Sequence, residues 1–464
     1  MTICVLGVDI GTSGSKGVLV EKATGRVVAE AAVSHEVSRP RPGWVEMPGE
    51  TWWTEFVTLA RRLRTPGTRI EAVGVSGMGP CVLLTDDDDV PVRPAILYGV
   101  DTRAMNQAAR MGGLDSQAGG PKIAWVAEEE PDVYARARRL YMPASWLVRK
   151  LTGAYVLDHQ SASQMRPHYD LERETWHDWP PGLEPPSLAW ADAVAGAITR
   201  KASAETGLPM GIPVTTGTID AWAEAVSVGA HHPGDLMLMY GTTMFLIATG
   251  TATLRTPSMW TTAGAYPGTR NLAGGLATSG ALTTWIRDLT GSDYPTLLAE
   301  ASKSPAGANG LLMLPYFAGE RTPIQDPHAR GVIAGLTLTH TRGDLYRAAL
   351  EATAFAVRHN LDTMRAAGAR IDRVVAVGGG TQGDLWPQIV SDVTGLPQEI
   401  PRTRIGASYG SAFLAAGSPR ITAWNPIVAT VTPSGSYDDL YRLYLDLYPG
   451  TAGVVHALAE GQNA

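Results

Sequence analysis

An aspartate at the end of an apolar run, followed at once by small and hydroxylated residues, stands near the start of the chain: Asp9-Ile10-Gly11-Thr12-Ser13-Gly14-Ser15-Lys16. Small residues leave backbone N–H groups exposed, and together with hydroxyls these can cradle phosphate oxygens. The carboxylate is then placed to hold hydrated Mg²⁺ beside them. An ordinary hairpin turn accounts for the octapeptide as well, and it is no Walker loop, because the GK[ST] ending is missing. A second copy lies about half a chain away, where the apolar run LMLMY leads through Gly241-Thr242-Thr243 into MFLIAT. Met239 stands where Asp9 would fall, so one turn can serve metal plus phosphate and the other phosphate alone. Two such turns from two domains describe a nucleotide held in a cleft.

Two further segments carry chemistry. In Gly211–Asp220 an apolar strand runs through small residues to a single carboxylate, Asp220, and Ala221–Gly229 then reads as a helix. An Asp before a helix is commonly a cap; beside phosphate turns it is the candidate general base that takes the proton of an attacking hydroxyl. Val377-Gly378-Gly379-Gly380-Thr381-Gln382 follows a buried strand and opens a helix. Its glycines let a flat ligand such as adenine approach the backbone, although a tight β–α turn is an equal explanation.

The elements that position these residues follow from periodicity. Ile3–Ile10, Lys16–Val20 and Arg26–Val33 alternate as an antiparallel meander. Pro48–Arg64 reads as a helix, Ile70–Ser76 as a short buried strand, and 101–150 as mostly helical, with Trp125, Leu140, Trp146 and Leu147 in the core. Residues 170–190 read as irregular loops. Thr341–Ala367 and Asp384–Thr394 read as helices and Val374–Val377 as a buried strand. The repeated strand–turn–strand implies one α/β plan used twice, with the boundary near His231-His232-Pro233-Gly234. The expected domains are 1–230, carrying the sugar, and 231–464, carrying the nucleotide. The four aspartates Asp86–Asp89 are expected at a solvated hairpin tip, since successive carboxylates on a strand point to alternate sides.

Bulk properties agree with a well-buried enzyme: 464 residues, 44% hydrophobic and 18% charged. A net charge of −7 gives no basic field for nucleic acid. The cysteines, Cys4 and Cys81, sit in strand-like runs, so a disulfide framework is not expected and a reducing, cytoplasmic setting is. No apolar run is long enough to span a bilayer.

Taken together, these segments resemble the FGGY carbohydrate kinases, the family of xylulokinase, gluconokinase and glycerol kinase. The resemblance runs from residue 4 to about 417. It includes Gly43-Trp44-Val45-Glu46 with Trp52-Trp53, Asp101-Thr102-Arg103, Lys150-Leu151-Thr152-Gly153, Pro315–Pro323, Gly331–Glu351 and Gly406–Ala412. It implies an α/β fold of two actin- and hexokinase-like (ribonuclease H-like) domains with a nucleotide and sugar cleft between them. By position, Asp9 serves Mg²⁺; Gly11, Thr12, Ser13 and Lys16 lie at the phosphates of ATP, as do Gly241, Thr242 and Thr243. Gly378, Gly379, Gly380 and Gln382 belong to the adenosine site, and Asp220 is the base. Gly77, Met78, Asp101, Arg103 and Asp220 are expected at the sugar, Asp101 and Arg103 either lining its pocket or holding the wall.

The departures from the family pattern fall in the sugar pocket. Xylulokinases carry Gln-Met-His-Gly after the strand that here ends at Ser76, whereas this chain has Gly77-Met78-Gly79-Pro80-Cys81. Tyr98, with Gly99 following, replaces the usual Trp before Asp-x-Arg. The expected substrate is a ketopentose such as xylulose, the alternatives being a polyol or an aldonate; glycerol is disfavoured, because the Arg-Glu pair of glycerol kinases is absent from this loop. The other readings are an ATP-binding chaperone or filament protein of similar plan and a sugar-sensing pseudo-kinase. The chain length and the presence of both Asp9 and Asp220 speak against them. The expected partners are a small sugar and ATP, with no nucleic acid or membrane, and a homodimer is the candidate assembly.

Overall fold

The computed structural model describes residues 1–417 and 420–463. Its two compact units are not contiguous halves. The first gathers Met1–His231, Thr262–Thr269 and Ile405–Pro426, and the second His232–Thr261, Arg270–Arg404 and Ile427–Ala464.

In the first unit, alternation of apolar and other residues builds the strands Thr2–Ile10, Gly14–Glu21 and Val27–Ser34, which pair antiparallel in that order. Thr68–Gly77 lies parallel to Thr2–Ile10 on its other side, followed outward by Pro213–Thr215 and Val194–Ala197. Period 2 sorts the central strand between two cores. Leu6, Val8 and Ile10 face Trp52, Phe56 and Leu59, which lie on one side of the helix Gly49–Arg62. Val5, with Val18 and Val20 of the next strand, packs instead with Tyr409, Ala412 and Phe413.

That second face explains why Ile405–Pro426 leaves the C-terminal half. The helix Ala407–Ala415 is made of small and apolar residues, every one of them buried. It lies so close to the sheet that a Cβ at Gly7 would sit 1.9 Å from the Ser408 carbonyl oxygen, and one at Gly74 1.8 Å from that of Ser411. Only a glycine surface accepts a helix backbone at that range, so a plain cut at 230/231 separates the helix from its seat.

The second unit repeats the plan. Asp235–Tyr240 and Met244–Gly250 form an antiparallel hairpin, Arg270–Leu276 pairs antiparallel beyond it, and Arg373–Gly378 runs parallel on the other side, followed by Gln398–Pro401 and Ile427–Val431. The long helix Arg342–Ala366 supplies much of the core through Ala348, Ala349, Ala352 and Phe355. Its start is fixed by a capping box, in which Asp344 accepts from the Thr341 N–H at 2.8 Å and Thr341 Oγ1 accepts from the Asp344 N–H at 3.3 Å.

Most of the expected elements are present, with local differences. Residues 101–150 hold the helices Met105–Arg110, Gly119–Glu129, Pro131–Arg136 and Pro143–Thr152, but Leu140 sits on the short strand Arg139–Tyr141. Within 170–190, Thr175–Trp176 pairs with Tyr169–Asp170, and Ser187–Ala189 with Val156–Asp158. The aspartate hairpin is present, yet Asp89 is no solvated carboxylate. It takes a left-handed φ of 59° and accepts from Tyr141 Oη at 2.6 Å, Arg149 Nε at 2.7 Å and Arg139 Nη1 at 3.2 Å. The turn carries the fourth residue back over the sheet, where these donors wait. Cys4 and Cys81 are free and buried. Among the described residues no helix is long and apolar enough to cross a membrane.

Candidate active site

In the first unit the two hairpin strands meet at the Gly11–Gly14 turn, closed by the Gly11 N–H donating to the Gly14 carbonyl at 3.1 Å. Asp9 stands across from Lys16 in the register, and Ser76 Oγ of the parallel strand donates to Asp9 Oδ1 at 2.8 Å. Asp220 reaches the same end of the sheet by a separate route. Gly217, at φ +74°, passes so near the central sheet that a Cβ would lie 2.1 Å from the Val75 carbonyl oxygen. Thr218–Ile219 then pairs with Ser76 and Gly77, and the helix Asp220–Ser227 begins. The helix thus starts one residue earlier than its sequence suggests, and Asp220 is not its cap. The cap position falls to Ile219, and Asp220 Oδ1 accepts from the adjacent Ala221 N–H at 2.7 Å.

This geometry concentrates negative charge. Burial first, then the charges of Asp220 and Glu224, push the Asp9 carboxyl above the ordinary carboxylate range, while Ser76 and Lys16 pull it back. Asp220 is raised by burial too. Glu224, one helical turn after Asp220, is pushed up to about 7 by burial and by Asp220. The sequence reading missed Glu224, although its i, i+4 spacing from Asp220 was the available signal. Carboxylates that raise one another's proton affinity suit a cation or a proton-accepting role. We expect Glu224→Gln, which removes one negative neighbour, to ease ionisation of Asp9. The acid limb of kcat/KM against pH should therefore move to lower pH, by under about one unit; an unmoved or raised limb contradicts the coupling.

Mg²⁺ fits these donors. Among the described residues no three His, Cys, Asp or Glu side chains form a metal cage of their own. Mg²⁺ is ordinarily held by one or two carboxylates and by substrate phosphates, so it requires none.

The remaining first-unit residues surround this end. The Met78 N–H donates to the Ile10 carbonyl at 2.8 Å, which ties Gly77 and Met78 to the same strand end, but Met78 is buried and Gly77 offers only backbone. Tyr98 Oη lies 2.8 Å from Thr12 Oγ1, a link between that segment and the turn that nothing in the sequence announced. Asp101 and Arg103 have side chains with 0% exposure and bind each other, Arg103 Nη2 donating to Asp101 Oδ2 at 2.6 Å. Asp101 also accepts from the Val45 N–H at 2.6 Å, and Arg103 donates to Glu46 at 2.6 Å while its guanidinium lies 4.0 Å over the Trp44 ring. They form a wall. Next in chain before Ile219 and Asp220, Thr218 Oγ1 donates to Asp158 Oδ2 at 2.8 Å and lies 3.2 Å from Gln160 Oε1, a buried support that the sequence did not suggest.

In the second unit the corresponding turn is one residue shorter, closed by the Gly241 N–H donating to the Thr243 carbonyl at 3.0 Å. Where the first hairpin pairs Asp9 with Lys16, this one pairs Met239 with Phe245, so no charged side chain stands there. The Gly280 N–H at the start of the helix Gly280–Thr290 donates to the Gly241 carbonyl at 3.0 Å, seating the turn. A cavity of about 480 Å³ opens beside it and brings together Gly241 and Thr242 with Gly379, Gly380 and Gln382. Thr243 and Gly378 do not line it; Gly378 carries the chain past Tyr240 at φ +98°. Tyr294, Leu298, Tyr346, Leu350 and Trp386 supply apolar and aromatic walls. This is the size and chemistry of a site for a planar base leading to phosphate donors.

A duplicated α/β unit, with interacting carboxylates at the sheet end of one copy and a nucleotide-sized pocket beside a Gly-Thr turn in the other, has the plan of an ATP-dependent phosphotransferase. Residues 4–227 match the N-terminal domain of the FGGY family of carbohydrate kinases and 236–418 its C-terminal domain, and the chain belongs to that family. It is similar to the xylulose kinase of Escherichia coli K12, 29% identical over 91% of this chain and 90% of the relative. It is also similar to the glycerol kinase of Nocardia farcinica, 32% identical over 89% of this chain and 90% of that one. Among solved structures, the xylulose kinase of Rhodospirillum rubrum superposes with a TM-score of 0.90 at 31% identity, covering 98% of this chain and all of that one.

Proposed function

We propose that this carbohydrate kinase transfers a phosphoryl group from ATP to a terminal primary hydroxyl of a ketose of four to six carbons, xylulose or a close relative. Asp220 acts as general base. The observation that carries the reading is Asp220 itself, a carboxylate of raised proton affinity held at the sheet end that also bears the Gly11–Gly14 turn. The first unit holds the sugar, with Gly11, Thr12, Ser13 and Lys16 as its phosphate donors, and the second holds the adenosine, with Gly241, Thr242 and Thr243 as phosphate donors of its own. Phosphoryl transfer leaves a protein little covalent work, so alignment and charge neutralisation carry the rate. Asp220 accepts the proton as the hydroxyl attacks, Lys16 offsets phosphate charge, and Asp9 with its Ser76 bond is the residue that would hold Mg²⁺. When bound, Mg²⁺ neutralises and orients the phosphate oxygens. The two free, buried cysteines suit a cytoplasmic setting, and a homodimer is the assembly that sedimentation would measure.

Similarity alone does not choose the sugar, because the xylulose and glycerol kinases match at comparable identity. One local feature favours a second reading, a polyol or an aldonate. Met78, Pro80 and Cys81 are all buried, so the loop offers no polar side chain to a sugar hydroxyl. An unmade bond to a buried hydroxyl costs roughly 1–3 kcal/mol, so xylulose should bind with a weak KM. ADP release measured across ketoses, alditols and aldonates decides: the ketose reading expects the highest kcat/KM for a ketose. An alditol or aldonate exceeding every ketose by about tenfold, some 1.4 kcal/mol of transition-state preference, replaces it.

A further inference from the structure

The Gly11–Gly14 turn is fastened from beneath by residues that the chemistry above leaves unused. His35, just past the strand Val27–Ser34, donates its backbone N–H to the Ser13 carbonyl at 3.2 Å. Its ring spans two further acceptor groups, a carbonyl and a carboxylate. Nε2 lies 3.0 Å from the Thr12 carbonyl, and Nδ1 lies 2.9 and 3.0 Å from the two carboxylate oxygens of Glu55. Glu55, from the helix Gly49–Arg62, also accepts from Ser15 Oγ at 2.5 Å. The His35 and Glu55 side chains are each 8% exposed, and Ser15 is fully buried.

A carbonyl and a carboxylate only accept hydrogen bonds. With one ring nitrogen at each, His35 bridges the two groups, and little water reaches the bridge. The Ser15 hydroxyl donates to the same carboxylate, so Glu55 holds the residue after the turn as well as the ring.

We propose that His35 is a positioning residue for ATP, a buried ring that clamps the Thr12 carbonyl to Glu55 and so sets the backbone of the phosphate turn. Tyr98 holds the Thr12 side chain at 2.8 Å, so the turn is gripped at both its carbonyl and its hydroxyl. The clamp touches neither reacting atom. It rests on the reading of Gly11–Lys16 as a phosphate turn, and its effect belongs to ATP rather than to the sugar.

In steady-state kinetics His35→Gln and Glu55→Gln should each raise the ATP KM about tenfold, as removal of an orienting partner does, with the sugar KM within about twofold of wild type. The double variant should be no worse than the poorer single one, since both break one clamp. An unchanged ATP KM in both variants overturns the proposal. Ser13→Ala separates the causes: if it alone raises the ATP KM, the clamp fails and the turn reading survives; if none of the three variants moves it, the turn reading fails as well.

Discussion

Asp220→Asn should fold, bind ATP and lose kcat by a factor on the order of 10²–10⁴, the range expected when a general base is removed. Asparagine keeps the shape and can still accept from the Ala221 N–H, the one bond that Asp220 Oδ1 makes to the helix start. It also removes a negative charge that raises the proton affinity of Asp9 and Glu224, so the recess gains rather than loses compatibility with folding. A fall in rate therefore reports proton acceptance and not collapse of the site. Thermal unfolding and ATP titration of the variant supply that control. Retention of more than about a tenth of wild-type kcat at saturating ATP and sugar contradicts the role.

The second large effect is expected at Asp9. Asp9→Ala leaves Ser76 without its acceptor and Lys16 without its cross-strand partner, but it leaves the hairpin and Asp220 in place. The Mg²⁺ concentration giving half-maximal rate should rise by about an order of magnitude or more, because Mg²⁺ sites lean on few protein carboxylates. The sugar KM should barely move. The second hairpin offers an internal contrast, since Met239 and Phe245 occupy the matching register and their replacement should leave the Mg²⁺ dependence unchanged. An Asp9 variant with wild-type Mg²⁺ dependence assigns the metal to another carboxylate.

Local features were the legible ones. Period-2 patterning with a Gly-Thr turn suffices to place both hairpins, and the glycine run after Val377 suffices to place Gly379, Gly380 and Gln382 at a strand end. What was hidden is nonlocal. Tyr294, Tyr346 and Trp386, which wall the nucleotide-sized pocket, lie on different helices, and no spacing within any one of them marks a shared surface. Asp89 sits in a run of four aspartates, and only the fold reveals the arginines and tyrosine around it. Tyr98, Asp158 and Gln160 support the turn and the base from chain segments far from either, and Gln160 by sequence alone is one polar residue among many.

The helix Ala407–Ala415, seated on Gly7 and Gly74, has a bearing on how the protein is made. A ribosome that has delivered the first unit's strands has not yet delivered the element that covers one face of them. At about 5–20 residues per second, the interval from His231 to Pro426 is roughly 10–40 s. For that time Val5, Val18 and Val20 present bare apolar sheet, the kind of surface that binds chaperones or neighbouring nascent chains. Codon changes that lengthen the interval should lower soluble yield without altering one residue of the product. The glycines that admit the helix so closely also leave this face with few side chains to cover itself before the helix arrives.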